Sequence, residues 1–125
     1  MLKRLRYAFR GLVHVFQTEP SFRWQILATF LVLVLMNVYA LANWQRIILL
    51  LLIGSVLVLE VINSVLERLV DSFKPRVHPV VAEVKDMMAG AVLVSSLTSA
   101  IVGFMILWPF VRVTLLEILS AFGYV

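Results

Sequence analysis

The sequence has no cysteine, which excludes a disulfide framework and any thiolate metal site. Charge is scarce as well. Only 14% of the 125 residues are charged, whereas 62% are hydrophobic and the mean hydropathy is +1.02. A soluble domain is about 45–50% apolar, so the composition implies one compact integral membrane unit. Neither a G-x-x-x-x-G-K-[ST] phosphate loop nor a kinase-type glycine loop occurs, which excludes a soluble nucleotide-binding fold. A secretory signal is also missing. Lys3, Arg4, Arg6 and Arg10 are interleaved with Leu2, Leu5, Phe9, Leu12, Val13 and Phe16, where a signal would have a compact apolar core and a small-residue cleavage site. No repeat, low-complexity tract or second domain is present.

The net charge of +4 does not indicate a nucleic-acid partner. The basic residues lie beside apolar spans, where lipid headgroups and membrane topology account for them.

Taken in order, residues 1–17 read as a basic amphipathic helix on the membrane surface, with Tyr7, Phe9 and His14 at headgroup level. Thr18-Glu19-Pro20-Ser21 is a helix start with proline in the first turn. It opens a first transmembrane helix over 20–42, long enough to cross a hydrocarbon core of roughly 30 Å. Asn43-Trp44-Gln45-Arg46 reads as a short polar hairpin with an interfacial tryptophan. A second transmembrane helix is expected over 47–71. Ser72–Val84 is a loop carrying Pro75 and Pro79, which bar an uninterrupted helix, and the pattern over 80–88 allows helix to resume before the third span. The third transmembrane helix, 87–110, presents Gly90, Ala91, Ser95, Ser96, Ser99, Ala100 and Gly103, small residues that let helices approach closely. The tail, 111–125, either extends that helix past Pro109 or lies on the membrane. The fold class is thus all-α integral membrane, three transmembrane helices plus an N-terminal amphipathic surface helix, in a single domain spanning 1–125.

The organising stretch is Leu59–Asp71. At about 100° per residue, Glu60, Asn63, Ser64, Glu67 and Asp71 fall within an arc of roughly 100°, opposite Val61, Ile62, Val65, Leu66 and Leu69. Near the bilayer centre a charge costs about 2.5–3.5 kcal/mol on insertion scales. Structural glue between helices would be made at lower cost from amides and hydroxyls, so the acids point to chemistry.

Of eleven lysines and arginines, five lie in residues 1–23, and Arg68, Lys74, Arg76 and Lys85 lie in the 68–86 loop. Only Arg46 and Arg112 fall on the other side. The positive-inside rule puts the N-terminus and this loop in the cytoplasm, so the polar stripe faces the compartment that holds ATP. Glu19, Glu67, Asp71, Lys85 and Asp86 then share one depth. Glu19 and Glu67 suit Mg²⁺, Lys85 and helix N-termini suit a transferring phosphoryl group, and the deeper Glu60 suits a general base for a lipid hydroxyl. These are the components of phosphoryl transfer. An ion- or proton-coupled transporter or assembly protein would use the same acids, although a pore has no need of Lys85-Asp86 at a helix start.

The run Glu60-x-x-Asn63-Ser64-x-x-Glu67-x-x-x-Asp71, then His78-Pro79 and Lys85-Asp86 before a small-residue span, resembles the signature of the small prokaryotic diacylglycerol kinase family, which includes the undecaprenol kinases. Tyr7-Ala8-Phe9-x-Gly11-Leu12 and Glu19-x-x-Phe22-Arg23 resemble its N-terminal pattern, and the likeness covers about residues 3–108. It implies an ATP- and Mg²⁺-dependent lipid kinase of the bacterial inner membrane, a homotrimer with its sites between subunits. The implied roles are Glu60 as base with Asn63 positioning it, Glu19 and Glu67 as metal ligands, and Lys85 at the phosphates. Asp86 would support Lys85 or the nucleotide, and Tyr7, Gly11 and His78 would lie near the nucleotide. Gln25 stands where some members carry an acid, and Val65-Leu66 replaces the commoner Ala-Ile. The lipid alcohol is undecaprenol or diacylglycerol, and the N-terminal motifs and His78-Pro79 look closer to the undecaprenol branch.

Overall fold

In the computed structural model, which describes residues 1–72 and 79–123, the chain forms four helices and, among the described residues, no strand. They are α1 (Leu2–Thr18), α2 (Pro20–Val38), α3 (Asn43–Ser72) and α4 (Pro79–Ala121). The last three are long and apolar enough to cross a membrane. His78, with Lys74, Pro75 and Arg76, lies outside the described residues.

α1 and α2 are separated by Glu19 alone. It is the C-cap of one helix and the N-cap of the next, held extended at φ −107°, ψ 108°. Pro20 at the first position of α2 forgoes an N–H that would have had no intrahelical partner.

Helix ends depart from the expected bounds in three places. α2 stops at Val38 rather than Ala42. Tyr39 leaves helical geometry (φ −95°, ψ 144°), and Leu41 turns back to bury itself, 6% exposed. The expected hairpin at Asn43–Arg46 is instead the first turn of α3. There Gln45 Oε1 accepts the Ala42 N–H at 2.9 Å, and Arg46 Nε donates to the Leu41 carbonyl at 3.3 Å, so the polar residues cap the helix and the turn falls at 39–42. Finally, α4 begins at Pro79, well before Met87, and continues through Pro109 to Ala121. Proline costs a helix its i→i−4 bond, but in apolar spans this loss is tolerated when neighbours re-satisfy the carbonyl. The 111–125 tail is therefore helical as far as Ala121.

α3 makes its most extensive contacts with α4 and then with α2, while α1 touches α2 and α3 lightly. The buried apolar cluster of Met36, Leu41, Leu49, Ile106 and Leu107 ties α2, α3 and α4 together where α2 ends and α3 begins. Tyr39 and Phe110 pack across it with ring centroids 5.7 Å apart. Elsewhere the helices present apolar side chains outward, such as Leu27, Phe30, Leu31 and Val34 on α2 and Leu50, Leu51 and Val58 on α3. Leu49 lies roughly 16 Å along α3 from Glu60, so the core anchors one end of the bundle and the polar stripe occupies the other.

Candidate active site

Within α3 the polar stripe is local helix geometry, and the neighbouring helices complete it. Glu60 is only 5% exposed and Ser64 only 2%. Glu60 Oε2 accepts from Ser21 Oγ of α2 at 3.3 Å. One turn on, Ser64 Oγ donates to Glu19 Oε1 at 3.2 Å. Asn63 Nδ2 donates to Glu67 Oε1 at 3.2 Å, along the i, i+4 direction of the helix. Three carboxylates from two parts of the chain thus surround one helical turn, each oriented through one oxygen by a neutral donor.

Two features of this arrangement are costly without a bound partner. A buried carboxylate held by one hydroxyl is under-solvated, which is the position of Glu60. Among the described residues the buried Asn63 Oδ1 has no hydrogen-bond partner, although buried polar atoms are nearly always satisfied. An arriving hydroxyl or metal-bound water would meet both needs.

Among the described residues no group of three or more His, Cys, Asp or Glu side chains forms a ready metal cage. Glu19 and Glu67 nevertheless supply hard oxygens flanking Ser64. Mg²⁺ usually takes one or two carboxylates, completing its shell with waters and substrate phosphates. The donor set fits a cation that arrives with a polyphosphate.

Lys85 Nζ pairs with Asp71 Oδ1 at 3.1 Å, one turn beyond Glu67 on α3. Both partners are partly exposed, so the pair is worth little and is easily exchanged. Asp86 is exposed. Tyr7 lines a shallow groove of about 210 Å³ on α1 with Lys3, Arg6 and Arg10, a basic patch separate from the carboxylates. At Gly11 a Cβ would meet nothing within 4 Å, so packing inside this chain does not require glycine there.

Some contributors were not legible as functional in the sequence. In the sequence Ser21 reads as part of a helix start, and Ser64 as part of the stripe and of the family-like run without a role of its own. Arg68 falls roughly 40° beyond Ser64 on the helical wheel, an edge position that was the available signal. Gln25 donates to Ser96 Oγ at 3.2 Å and so links α2 to α4. Beside that bond is a cleft of about 180 Å³ that Thr29, Ser99 and Gly103 also line.

An apolar groove of about 480 Å³ runs between α1, α2 and α3. Leu12, Phe16, Phe22, Ile26, Gly54 and Val61 are among its lining residues. Val61, which lines the groove, follows Glu60 in sequence and lies about 100° round α3 from it. At Gly54 a Cβ would again meet nothing within 4 Å, and the missing side chain widens the groove.

A protein-family model described as "Prokaryotic diacylglycerol kinase" matches residues 6–107. Among curated proteins, the chain is 34% identical over 107 residues to the undecaprenol kinase of Bacillus subtilis (strain 168), covering 86% of this chain and 87% of that one. It is 27% identical over 108 residues to the diacylglycerol kinase of Escherichia coli (strain K12), covering 86% and 88%. It is 32% identical over 113 residues to the diacylglycerol kinase of Synechocystis sp., covering 87% of this chain and 63% of the relative.

Proposed function

The chain belongs to the prokaryotic diacylglycerol kinase family, and from that premise we propose that it transfers the γ-phosphoryl group of ATP to a membrane lipid alcohol at the cytoplasmic face of the bacterial inner membrane. Residues 1–125 form a single lipid-kinase domain, with α1 on the membrane surface and α2, α3 and α4 crossing it. The observation that carries the reading is the buried Glu60, held by Ser21 and beside the Ser64–Glu19 and Asn63–Glu67 pairs.

The lipid's chain lies in the apolar groove between α1, α2 and α3, with its hydroxyl at Glu60. Glu60 removes the hydroxyl proton as the lipid oxygen bonds to the γ-phosphorus. The bond from that phosphorus to the β,γ-bridging oxygen breaks, leaving ADP and a lipid phosphate. Asn63 orients the reacting groups through its unsatisfied Oδ1. Glu19 and Glu67 would hold the Mg²⁺, which would supply charge neutralisation at the phosphates. Lys85 leaves its exposed pair with Asp71 for the phosphates, and Asp86 supports it. The basic groove around Tyr7, the open side of Gly11, and His78 serve the nucleotide. The assembly we propose is the homotrimer that the resemblance implies, with sites between subunits.

The lipid we favour is undecaprenol. Its support is the resemblance of the N-terminal motifs and of His78-Pro79, together with the 34% identity to an undecaprenol kinase. The test is phosphate transfer from γ-labelled ATP to undecaprenol and to diacylglycerol, side by side in mixed micelles. Label in undecaprenyl phosphate in excess over phosphatidate supports the reading. The reverse order reassigns the substrate, and no lipid-dependent turnover with either lipid refutes the kinase function.

A further inference from the structure

Glu19 is the entire connection between α1 and α2, so the direction of its carboxylate depends on the angle at which α1 meets the bundle. Little packing sets that angle, because Val15 is the one buried residue of α1. A polar clamp does. Arg68 of α3 donates through Nη1 to His14 Nε2 at 2.6 Å. Through Nη2 it donates to Thr18 Oγ1 and meets Glu19 Oε1 at 3.5 Å. The Thr18 hydroxyl itself donates to the His14 carbonyl at 2.9 Å. One guanidinium therefore grips a full turn of α1 and the residue that follows it. Arginine has no acceptor, so His14 contributes the lone pair of an unprotonated Nε2.

We propose that Arg68 is a positioning residue for phosphoryl transfer. By fixing the last turn of α1 to α3, it aims the Glu19 carboxylate, which Ser64 holds from the same helix, at the nucleotide's Mg²⁺. This rests on the reading of Glu19 as a metal ligand. A competing effect has the opposite sign, because a cation beside Glu19 repels Mg²⁺. Arg68 is 43% exposed and its contact with Glu19 is the longest of the three, so solvent screens the repulsion. The shorter contacts to α1 dominate.

The experiment measures the Mg²⁺ dependence of turnover for the full-length enzyme in detergent with saturating lipid and ATP. Arg68→Ala raises the Mg²⁺ concentration for half-maximal rate about tenfold, the lower end of what groups behind a metal ligand contribute, with kcat at saturating Mg²⁺ largely kept. Arg68→Lys recovers part of the shift, since an ammonium keeps the charge but not the fork. His14→Ala shifts the dependence in the same direction by less. Among the described residues no hydrogen bond or ion pair joins His14 to Glu19, so its effect reports the angle of α1 and not charge. In parallel, amide hydrogen exchange over residues 14–21 rises in both alanine variants. Glu19→Gln serves as the control. If it raises the Mg²⁺ requirement while Arg68→Ala does not, the positioning role is overturned and the metal assignment stands. If Glu19→Gln itself leaves the requirement unchanged, the metal assignment falls and the role of Arg68 falls with it. A lowered requirement in Arg68→Ala would make Arg68 a competing cation and also overturn the proposal.

Discussion

Replacing Glu60 by glutamine separates a catalytic base from a structural acid. Glu60 is 5% exposed and is engaged by one hydroxyl, Ser21 at 3.3 Å. Glutamine has nearly the same shape, and its amide oxygen can still accept that bond, so packing between α2 and α3 is preserved. The charge is lost. If Glu60 is structural, the loss stabilises the protein or leaves it unchanged, because an under-partnered buried carboxylate is costly. If Glu60 is the base, a general-base contribution of about 10²–10⁴ disappears, equivalent to about 3–5 kcal/mol of barrier at 1.36 kcal/mol per decade. The expected outcome is at least a hundredfold loss of lipid phosphate formed from labelled ATP, with ATP binding and oligomeric state retained and the melting temperature not lowered in the same detergent. Near-normal turnover with a raised melting temperature would refute the assignment of Glu60 as base.

Glu67→Gln should abolish turnover at ordinary Mg²⁺ while leaving the fold intact by circular dichroism. Unchanged turnover with unchanged Mg²⁺ dependence removes Glu67 from the site. Mixing Glu60→Gln subunits with Lys85→Ala subunits should restore part of the activity lost in each, and a fully active, strictly monomeric protein in detergent would contradict a site between chains. Gln25→Ala should keep lipid phosphorylation and lower stability by about 0.6 kcal/mol, the average for a side-chain hydrogen bond between membrane helices. A large loss of turnover at an unchanged melting temperature would place Gln25 in the site.

The sequence by itself determined what short range controls. Three apolar runs are long enough to cross a bilayer's hydrocarbon core, and a helical repeat of 3.6 residues puts Glu60, Asn63, Ser64, Glu67 and Asp71 on one face whatever surrounds them. The pairing of Asn63 with Glu67 follows from the same periodicity. Helix ends were less legible, because a polar run such as Asn43–Arg46 suits a hairpin and a helix cap equally. The choice fell to Leu41, which is buried in the core that α2, α3 and α4 share. Tertiary structure alone decided the contacts that join distant segments. Ser21 meets Glu60 across 39 positions, Ser64 meets Glu19 across 45, and Arg68 reaches His14 across 54. Serine, threonine and histidine at a helix start or on an amphipathic surface have ordinary local explanations, so nothing in their own neighbourhoods marks them as partners of the acids. What selects them is the angle between α1 and α2 at Glu19 and the depth at which α2 lies against α3, and both are properties of packed helices that no single segment encodes.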